Sequence, residues 1–258
     1  MKTGAYFFVL IILFALVSEC SNNSGKKSAK GEGDSGNVTN AADTGYNGIT
    51  QYFSQGRLVK EVTFKNGIRQ GLMKTFDASG KLYQTFWYEN GKRQDTAVWF
   101  FEDGKIFRKT PFKDDSINGI QIQYYKSGNV RARLGFENGL RTTYLEEFES
   151  TGQKISGYPE LVIKTSDEYN QNGTFKIVLG LSKKNSRANF YVGELINGLF
   201  NPKKCMKVND SESTGIITLK KTGETGNKSV GVIAEILTPL GNRNLVYKSI
   251  NIPYNNLK

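Results

Sequence analysis

Residues 76–91 read FDASGKLYQTFWYENG, and residues 100–115 and 124–139 follow the same plan as FFEDGKIFRKTPFKDD and YYKSGNVRARLGFENG. Each unit contains two short runs rich in β-branched and aromatic residues, and turns containing glycine separate the runs. This pattern is typical of consecutive β-hairpins, and a period of 24 residues indicates a repeat architecture. The period is kept by Gly56, Gly80, Gly104, Gly128 and Gly152. Residues 47 to about 154 therefore predict a repetitive antiparallel β-sheet.

The period also predicts the register of this sheet. A three-residue hairpin loop ends in a left-handed residue, and glycine adopts that conformation most easily. If both loops of every unit have odd length, Phe76 faces Leu82, which faces Phe100. One predicted apolar row is Tyr52, Leu58, Phe76, Leu82, Phe100, Ile106, Tyr124, Val130 and Phe148. A second row on the same face is Val62, Leu72, Phe86, Thr96, Thr110, Ile120, Leu134 and Tyr144. We expect this face to stabilise the sheet.

The opposite face is the predicted binding surface. The same register places Thr75, Tyr83, Trp99, Phe107, Gln123 and Arg131 in one row of that face. Aromatic and arginine side chains are enriched in interface hot spots, and several exposed rings are unusual for a free monomer. The predicted binding residues are Tyr83, Trp87, Trp99, Phe101, Phe107, Tyr125, Arg131 and Arg133. The alternative is that these rings pack against the C-terminal part of the chain or form a second core layer.

The order aromatic, three residues, Gly-Lys-Leu, then aromatic-x-Asn-Gly resembles the MORN-variant repeat of the YwqK-type antitoxin family. The best matches are residues 76–91 and 124–139, and the third unit departs from the pattern at Asp114-Asp115. The resemblance covers less than half of the chain. It implies a β-repeat sheet and raises an antitoxin role as one alternative. It implies no catalytic residue.

The N-terminus predicts export. Lys2 precedes an apolar run from Ala5 to Val17, which is too short to span a bilayer and fits a signal peptide over residues 1–19. The run that ends at Cys20 resembles a bacterial lipoprotein signal, in which Cys20 becomes the lipidated first residue. The alternative is an ordinary cleaved signal with Cys20 incidental. Residues 20–45 are polar and predict a flexible tether. We expect a lipoprotein anchored in the bacterial cell envelope, at the outer membrane or facing the periplasm.

The C-terminal part follows a break at Tyr158-Pro159, where the period ends. The domains predicted from this are a repeat sheet over residues 46–157 and a separate domain over 158–258. Six apolar or alternating runs in the second region predict an antiparallel β-sandwich, immunoglobulin-like in general form. This domain could cover the repeat sheet or bind glycan or protein.

Composition argues against an enzyme. The chain contains no histidine, which removes Ser-His and Cys-His pairs and most zinc sites. Gly31 to Gly36 match a dinucleotide fingerprint but follow no predicted strand, and Lys221-Thr222-Gly223 lacks its partner motifs. Cys205 has no second cysteine beside it in the folded region, and we interpret it as a buried small residue rather than a reactive thiol. We expect no catalytic residues, no metal and no cofactor.

Charge argues against nucleic acid as the partner. The net charge of +11 is spread evenly over the two predicted domains rather than clustered in one stripe. The leading hypothesis is a non-enzymatic, membrane-anchored scaffold whose repeat sheet binds another protein. The alternatives are an antitoxin or immunity protein that neutralises a toxin, and an envelope module that binds glycan or lipid.

Overall fold

The structure is a computed structural model, and it describes residues 45–226 and 229–258. The predicted signal peptide, the tether and Cys20 lie outside these residues. The described part is almost entirely β, with a repeat sheet of consecutive antiparallel hairpins and two further sheets. The predicted all-β class is confirmed.

The repeat sheet has the strand order β1-β2-β3-β4-β5-β6-β8-β9-β10-β14, with β7 paired to β6. Neighbouring strands in the order are neighbours along the chain almost throughout, as expected for hairpins. The strands are β1 (Gly48–Ser54), β2 (Arg57–Lys65), β3 (Ile68–Phe76), β4 (Leu82–Glu89), β5 (Lys92–Phe100), β6 (Ile106–Lys113), β7 (Ser116–Ile117), β8 (Gly119–Tyr124), β9 (Val130–Glu137), β10 (Leu140–Glu147) and β14 (Leu199–Phe200).

Two kinds of turn alternate along the sheet from β2 onward. The Asp77 N–H donates to the Lys81 carbonyl across a three-residue loop, which ends at Gly80 with φ of 82°. This turn has the predicted form. Asn90 and Gly91 instead form a two-residue loop with φ of 48° and 80°, which is type I′ geometry. The prediction that both loops have odd length is therefore wrong.

A β-bulge in each of four successive units shifts the register by one residue, and in the first of them the extra residue is Val59. Phe76 faces Leu82 as predicted, but the next pair is Thr75 with Gln84, so Tyr83 is an extra residue on its strand. The extra residues one and two units later are Phe107 and Arg131.

The first unit departs further from the predicted register. Leu58 faces Phe53, whereas Tyr52 faces Lys60. The predicted pairing of Leu58 with Tyr52 is wrong, because this unit turns through a two-residue loop.

The bulges change which side chains share a face. Phe86 faces Met73 rather than Leu72. Its ring centre lies 5.4 Å from that of Trp99, so Phe86 and Trp99 share a face. The constant register places these two residues on opposite faces. The mostly buried row is Val62, Met73, Phe86, Ala97, Thr110, Gln121 and Leu134. The predicted stabilising row through Phe76 and Phe100 is only half-buried. The prediction that this row is the most buried and most stabilising row of the sheet is therefore wrong.

The C-terminal part contains two sheets that share one apolar core. One has the order β11-β12-β16, and the other β15-β13-β17-β18. Both contribute buried side chains to the core, among them Phe175, Ile177, Phe190 and Val232. The elements are β11 (Leu161–Glu168), α1 (Tyr169–Asn172), β12 (Thr174–Leu181), β13 (Ala188–Val192), a 3₁₀ turn (Pro202–Lys204), β15 (Met206–Lys207), β16 (Gly215–Lys220), β17 (Ser229–Leu237) and β18 (Arg243–Asn251).

The strand partition of these two sheets is that of an immunoglobulin-like sandwich. With β14 left aside, strands one, two and five form one sheet, and strands three, four, six and seven form the other. The fourth strand lies beside the third rather than beside the fifth. β14 lies in the chain between β13 and β15, and it leaves the sandwich to pair with β10 of the repeat sheet.

Candidate functional site

The two faces of the repeat sheet differ in chemistry. The face that contains Phe86 is called here the aromatic–arginine face, and the other the charged face. The aromatic–arginine face contains Lys60, Arg69, Phe86, Tyr88, Arg93, Trp99, Arg108, Phe112, Phe136 and Arg141, as the register and ring contacts place them. The charged face contains Glu61, Lys74, Thr85, Val98, Lys109, Ile122, Arg133 and Glu146, which face one another in one row.

Arginines lie over the aromatic rings in successive units. The Arg69 guanidinium carbon is 4.8 Å from the Tyr88 ring centre, and that of Arg93 is 4.5 Å from Phe112. Arg141 repeats the contact over a third ring, at 5.3 Å. Each such contact is an electrostatic attraction between the cation and the ring face. The arginines also cover rings that a single-layer sheet would otherwise leave exposed.

Asp115 stands where the other units have Gly67, Gly91 and Gly139, and it adds a negative charge beside the arginines of the aromatic–arginine face. Its carboxylate accepts a hydrogen bond from the Arg93 Nε at 3.0 Å and one from the Arg93 backbone N–H at 2.9 Å. Desolvation raises the pKa of Asp115, but these hydrogen bonds together with the charges of Arg93 and Arg69 outweigh it, and the pKa is lowered. Arg93 is therefore already paired with an acid.

Arg108 differs from Arg93 because it has no acidic partner within residues 45–226 and 229–258. Its guanidinium carbon is 4.0 Å from the Trp99 ring centre and 5.9 Å from that of Phe107. Its Nε is buried and has no hydrogen-bond partner in the described part of the chain. Burial lowers the pKa of the Arg108 side chain. The face thus holds a desolvated cation with an unused donor, at the centre of the repeat sheet.

The predicted binding residues do not all lie together. Trp87 faces Leu72 and Gln94, and Arg133 faces Glu146, so both belong to the charged face. Their placement on the same face as Trp99 is wrong. The two-residue turn at Asn90-Gly91 puts Trp87 and Trp99 on opposite faces, and the bulge at Arg131 turns Arg133 to the charged face. The residues near the aromatic–arginine face are Tyr83, Trp99, Phe101, Phe107, Tyr125 and Arg131.

Within this group the degree of burial varies. Trp99 packs on the cluster of Phe86, Tyr88, Ala97 and Phe112, so it belongs partly to the core, as the alternative interpretation proposed. Tyr83 remains 48% exposed. Sequence reasoning omitted Arg69, Arg93 and Arg108 from the site, although the first two recur at the 24-residue period.

The charged face largely neutralises itself. Glu146 binds Lys154 at 2.7 Å and Arg133 at 3.2 Å, and it accepts a hydrogen bond from the Tyr144 hydroxyl at 2.8 Å. Together these contacts lower the pKa of Glu146 to about 2, with the Lys154 hydrogen bond the largest cause. Lys74 pairs with Glu61 in the same way at 3.4 Å. In the row of this face, both Glu61 and Glu146 are therefore paired with neighbouring cations.

Glu147 joins the repeat sheet to the sandwich. Its side chain is fully buried, and one carboxylate oxygen accepts hydrogen bonds from Thr238 Oγ1 and Asn242 Nδ2, both at 2.7 Å. The other oxygen accepts from the Tyr158 hydroxyl at 3.1 Å. Burial and the neighbouring carboxylate raise the pKa of Tyr158. Nothing in the repeat pattern predicts this junction, because its partners are 91 and 95 residues away.

Two arginines extend the same junction. Arg131 donates to the Leu240 carbonyl at 2.6 Å, and Arg141 donates to the Arg243 carbonyl at 3.0 Å. The loop between β17 and β18 therefore covers the C-terminal end of the aromatic–arginine face. The end nearer β1 has no such contacts among these hydrogen bonds.

Cys205 lies half-buried beside a second apolar cluster of the sandwich, formed by Phe200, Ile233 and Leu245. Burial, with a smaller contribution from Glu194, raises the pKa of the Cys205 thiol. A raised pKa disfavours the reactive thiolate.

In the part of the chain that the structure describes, no cluster of three or more acidic or cysteine side chains has metal-binding geometry. None of the helices there has the length and apolar character needed to cross a membrane.

Consecutive hairpins that repeat about every 24 residues within a single sheet are the architecture of a β-repeat protein. The family model of the MORN repeat variant matches residues 69–85, 96–114 and 117–138. The part of the repeat sheet from β3 to β9 is therefore built of MORN repeat variants. MORN repeats are commonly protein- or membrane-binding repeats. Comparison with curated proteins finds no match to this sequence.

Proposed function

We propose that the protein is a non-enzymatic, membrane-anchored lipoprotein of the bacterial envelope whose repeat sheet binds another protein through the aromatic–arginine face. The observation that supports this proposal is Arg108, a half-buried cation stacked on Trp99 with no acid beside it in the described residues. Tryptophan and arginine are the residue types most enriched in binding hot spots. A carboxylate from a partner would pair with the charge of this guanidinium.

The geometry of Arg108 suits a carboxylate better than a neutral group. A guanidinium presents several N–H donors in one plane, and a carboxylate accepts two of them in parallel. Stacking on Trp99 holds that plane fixed, so less conformational entropy is lost on binding. Phe107 and the exposed Tyr83 beside it offer apolar contact around the charge pair.

Arg108→Gln tests the proposal, with Lys109→Gln as the matched control. Both changes remove one positive charge from β6, but Arg108 faces Trp99 and Lys109 faces Val98 on the charged face. Because Arg108 has no ion pair to lose, we expect its replacement to move the melting temperature by less than about 4 °C. Capture of a specific protein from native membranes should fall at least about tenfold, as for loss of a charge-assisted hydrogen bond.

Wild type and Lys109→Gln should retain the same captured protein. Equal losses in both variants would show that only net charge matters, and full retention in both would place the site elsewhere in the chain. If liposomes of anionic lipid bind in place of any protein, the envelope lipid-binding alternative replaces the proposal. If the captured protein is a toxin whose activity is suppressed, the scaffold is an antitoxin or immunity protein.

Lipidation of Cys20 would provide the anchor. Stable anchoring needs more than one acyl chain or a second membrane signal, which a lipoprotein N-terminus supplies. We expect a fatty-acid analogue fed to cells to label wild type and to leave Cys20→Ala unlabelled. Equal labelling of the two proteins would contradict the anchor and leave an ordinary cleaved signal.

A further inference from the structure

β1 is the open edge of the repeat sheet. Its inner side pairs with β2 from Gly48 to Ser54, and within residues 45–226 and 229–258 no strand pairs with its outer side. The far edge of the sheet differs, because β14 pairs with β10 at Arg141 and Thr142. Within the described residues, β1 is thus a seven-residue edge strand with no partner on its outer side, whereas the strand at the other end, β14, is two residues long.

The sequence of β1 lacks the usual protection of an edge strand. Natural edges carry lysines, prolines or inward-pointing charges that prevent pairing with another chain. β1 reads GITQYFS and has neither a charged residue nor a proline. Ile49 is 60% exposed and Phe53 is 61% exposed. Both lie on the face that Gln51 shares with Glu61.

We propose that β1 pairs antiparallel with β1 of a second copy of this chain, about a two-fold axis at Gln51. Residues that sum to 102 then face each other, so Ile49 of each copy lies opposite Phe53 of the other. Directly opposed side chains on adjacent antiparallel strands are about 5 Å apart and touch. The pairing buries all four exposed side chains and opposes no like charges. It is independent of the partner-binding proposal.

The other occupants of this edge fit less well. Residues 21–44 of the chain precede β1, but they read SNNSGKKSAKGEGDSGNVTNAADT and offer no alternating apolar residues to meet Ile49 and Phe53. Open-ended stacking of many copies would need a second long edge, and the strand at the other end of the sheet, β14, is only two residues long. An isologous contact between two identical edges closes at a dimer.

One acceptor on this strand is already in use. The Tyr46 hydroxyl donates to the Ile49 carbonyl at 3.1 Å within the same chain. A carbonyl oxygen has two lone pairs, so it can accept a second hydrogen bond from a facing strand.

The mass of the full-length protein in solution tests the dimer, with Ile49→Lys as the variant and Ile68→Lys as its control. Ile68 is 51% exposed at the start of β3, inside the sheet, so both changes place a lysine at an exposed isoleucine. A single strand pair is a small interface, so the measurement needs micromolar protein. We expect dimers for wild type and Ile68→Lys. Ile49→Lys should raise the dissociation constant at least about tenfold, because it alters both symmetric pairs.

Crosslinking locates the axis. In a background with both native cysteines replaced, Cys20→Ser and Cys205→Ser, Gln51→Cys brings two thiols together across the axis, at a spacing that a disulfide accepts. Gln55→Cys makes the same substitution in the turn after β1, four residues along each strand, where the two copies are roughly 26 Å apart. Oxidation should join the first variant and not the second.

Three outcomes would overturn the proposal. A monomeric wild type is one, and if its β1 amides still resist hydrogen exchange, residues 1–44 of the same chain occupy the edge. Dimers that persist unchanged in Ile49→Lys would mean that another surface associates. Equal crosslinking at positions 51 and 55 would exclude the two-fold register.

Discussion

Phe86→Ala is expected to lower the free energy of unfolding by about 3–5 kcal/mol, the usual cost of removing a buried phenylalanine. The Phe86 ring meets the rings of Tyr88, Trp99 and Phe112, with centroid distances of 6.5, 5.4 and 6.0 Å. Loss of the ring would leave a cavity in the middle of a single-layer sheet, where no second layer can collapse into it. Denaturant unfolding followed by tryptophan fluorescence measures this directly, because both tryptophans lie in the repeat sheet.

Phe100→Ala is the matched control for that experiment. Phe100 is in the row that a constant register makes the stabilising one, but it is only half-buried and faces Ile106 on the other side of the sheet. We expect its removal to cost less than about 2 kcal/mol, since part of the ring already contacts water. If Phe100→Ala proves the more damaging change, the bulged register described above is incorrect.

Glu147→Ala should be the second large effect, at about 2–4 kcal/mol. The substitution leaves the donors of Thr238, Asn242 and Tyr158 without their acceptor, and each buried unsatisfied donor costs about 1–3 kcal/mol. Release of a buried carboxylate offsets part of this loss. Because Glu147 ends the repeat sheet and its partners belong to the sandwich or its linker, the junction itself should loosen. Hydrogen exchange should then increase at the β17–β18 loop.

Glu146→Ala is the control for Glu147→Ala, because it tests whether the loss of stability comes from the buried position or from removing any carboxylate. Glu146 is adjacent to Glu147 but belongs to the charged face, where it binds Arg133 and Lys154. Exposed ion pairs contribute at most about 1 kcal/mol. We therefore expect a small loss for Glu146→Ala. Similar losses from both substitutions would show that the buried junction contributes no more than a surface ion pair.

The repeat sheet could be predicted from sequence because its signals are local and recur. The turn at Gly80 and the pairing of Phe76 with Leu82 follow from one unit alone. The sandwich strands could be predicted for the same reason, since each is an apolar or alternating run.

The faces could not be predicted, because a bulge leaves no strong mark in the sequence. One extra residue such as Tyr83 reverses the side of the sheet on which every later residue of that strand lies. The two-residue turns have the same effect between strands: Trp87 and Trp99 are twelve residues apart, yet the turn at Asn90-Gly91 places them on opposite faces. The cation contacts of the site depend on this reversal, so a constant register does not predict them, although Arg69 and Arg93 follow the 24-residue period.

The junction at Glu147 could not be predicted from the sequence either. Glu147 is one carboxylate among many in the sequence, and its buried environment arises from a loop about ninety residues away. β14 is two residues long and carries no period. Long-range contacts of this kind depend on tertiary packing rather than on local propensity.

Because the bulge recurs in successive units, the width of the sheet depends only on the number of units. Since each unit contains the same extra residue, a whole unit can be gained or lost without turning any later side chain to the wrong face. Each unit adds two strands, or about 10 Å, across the sheet. Nine strand intervals separate β1 from β14, which is about 43 Å at ordinary strand spacing. The number of repeats therefore fixes how far the outer edge of the molecule stands from its sandwich, a distance that evolution can lengthen or shorten in whole steps.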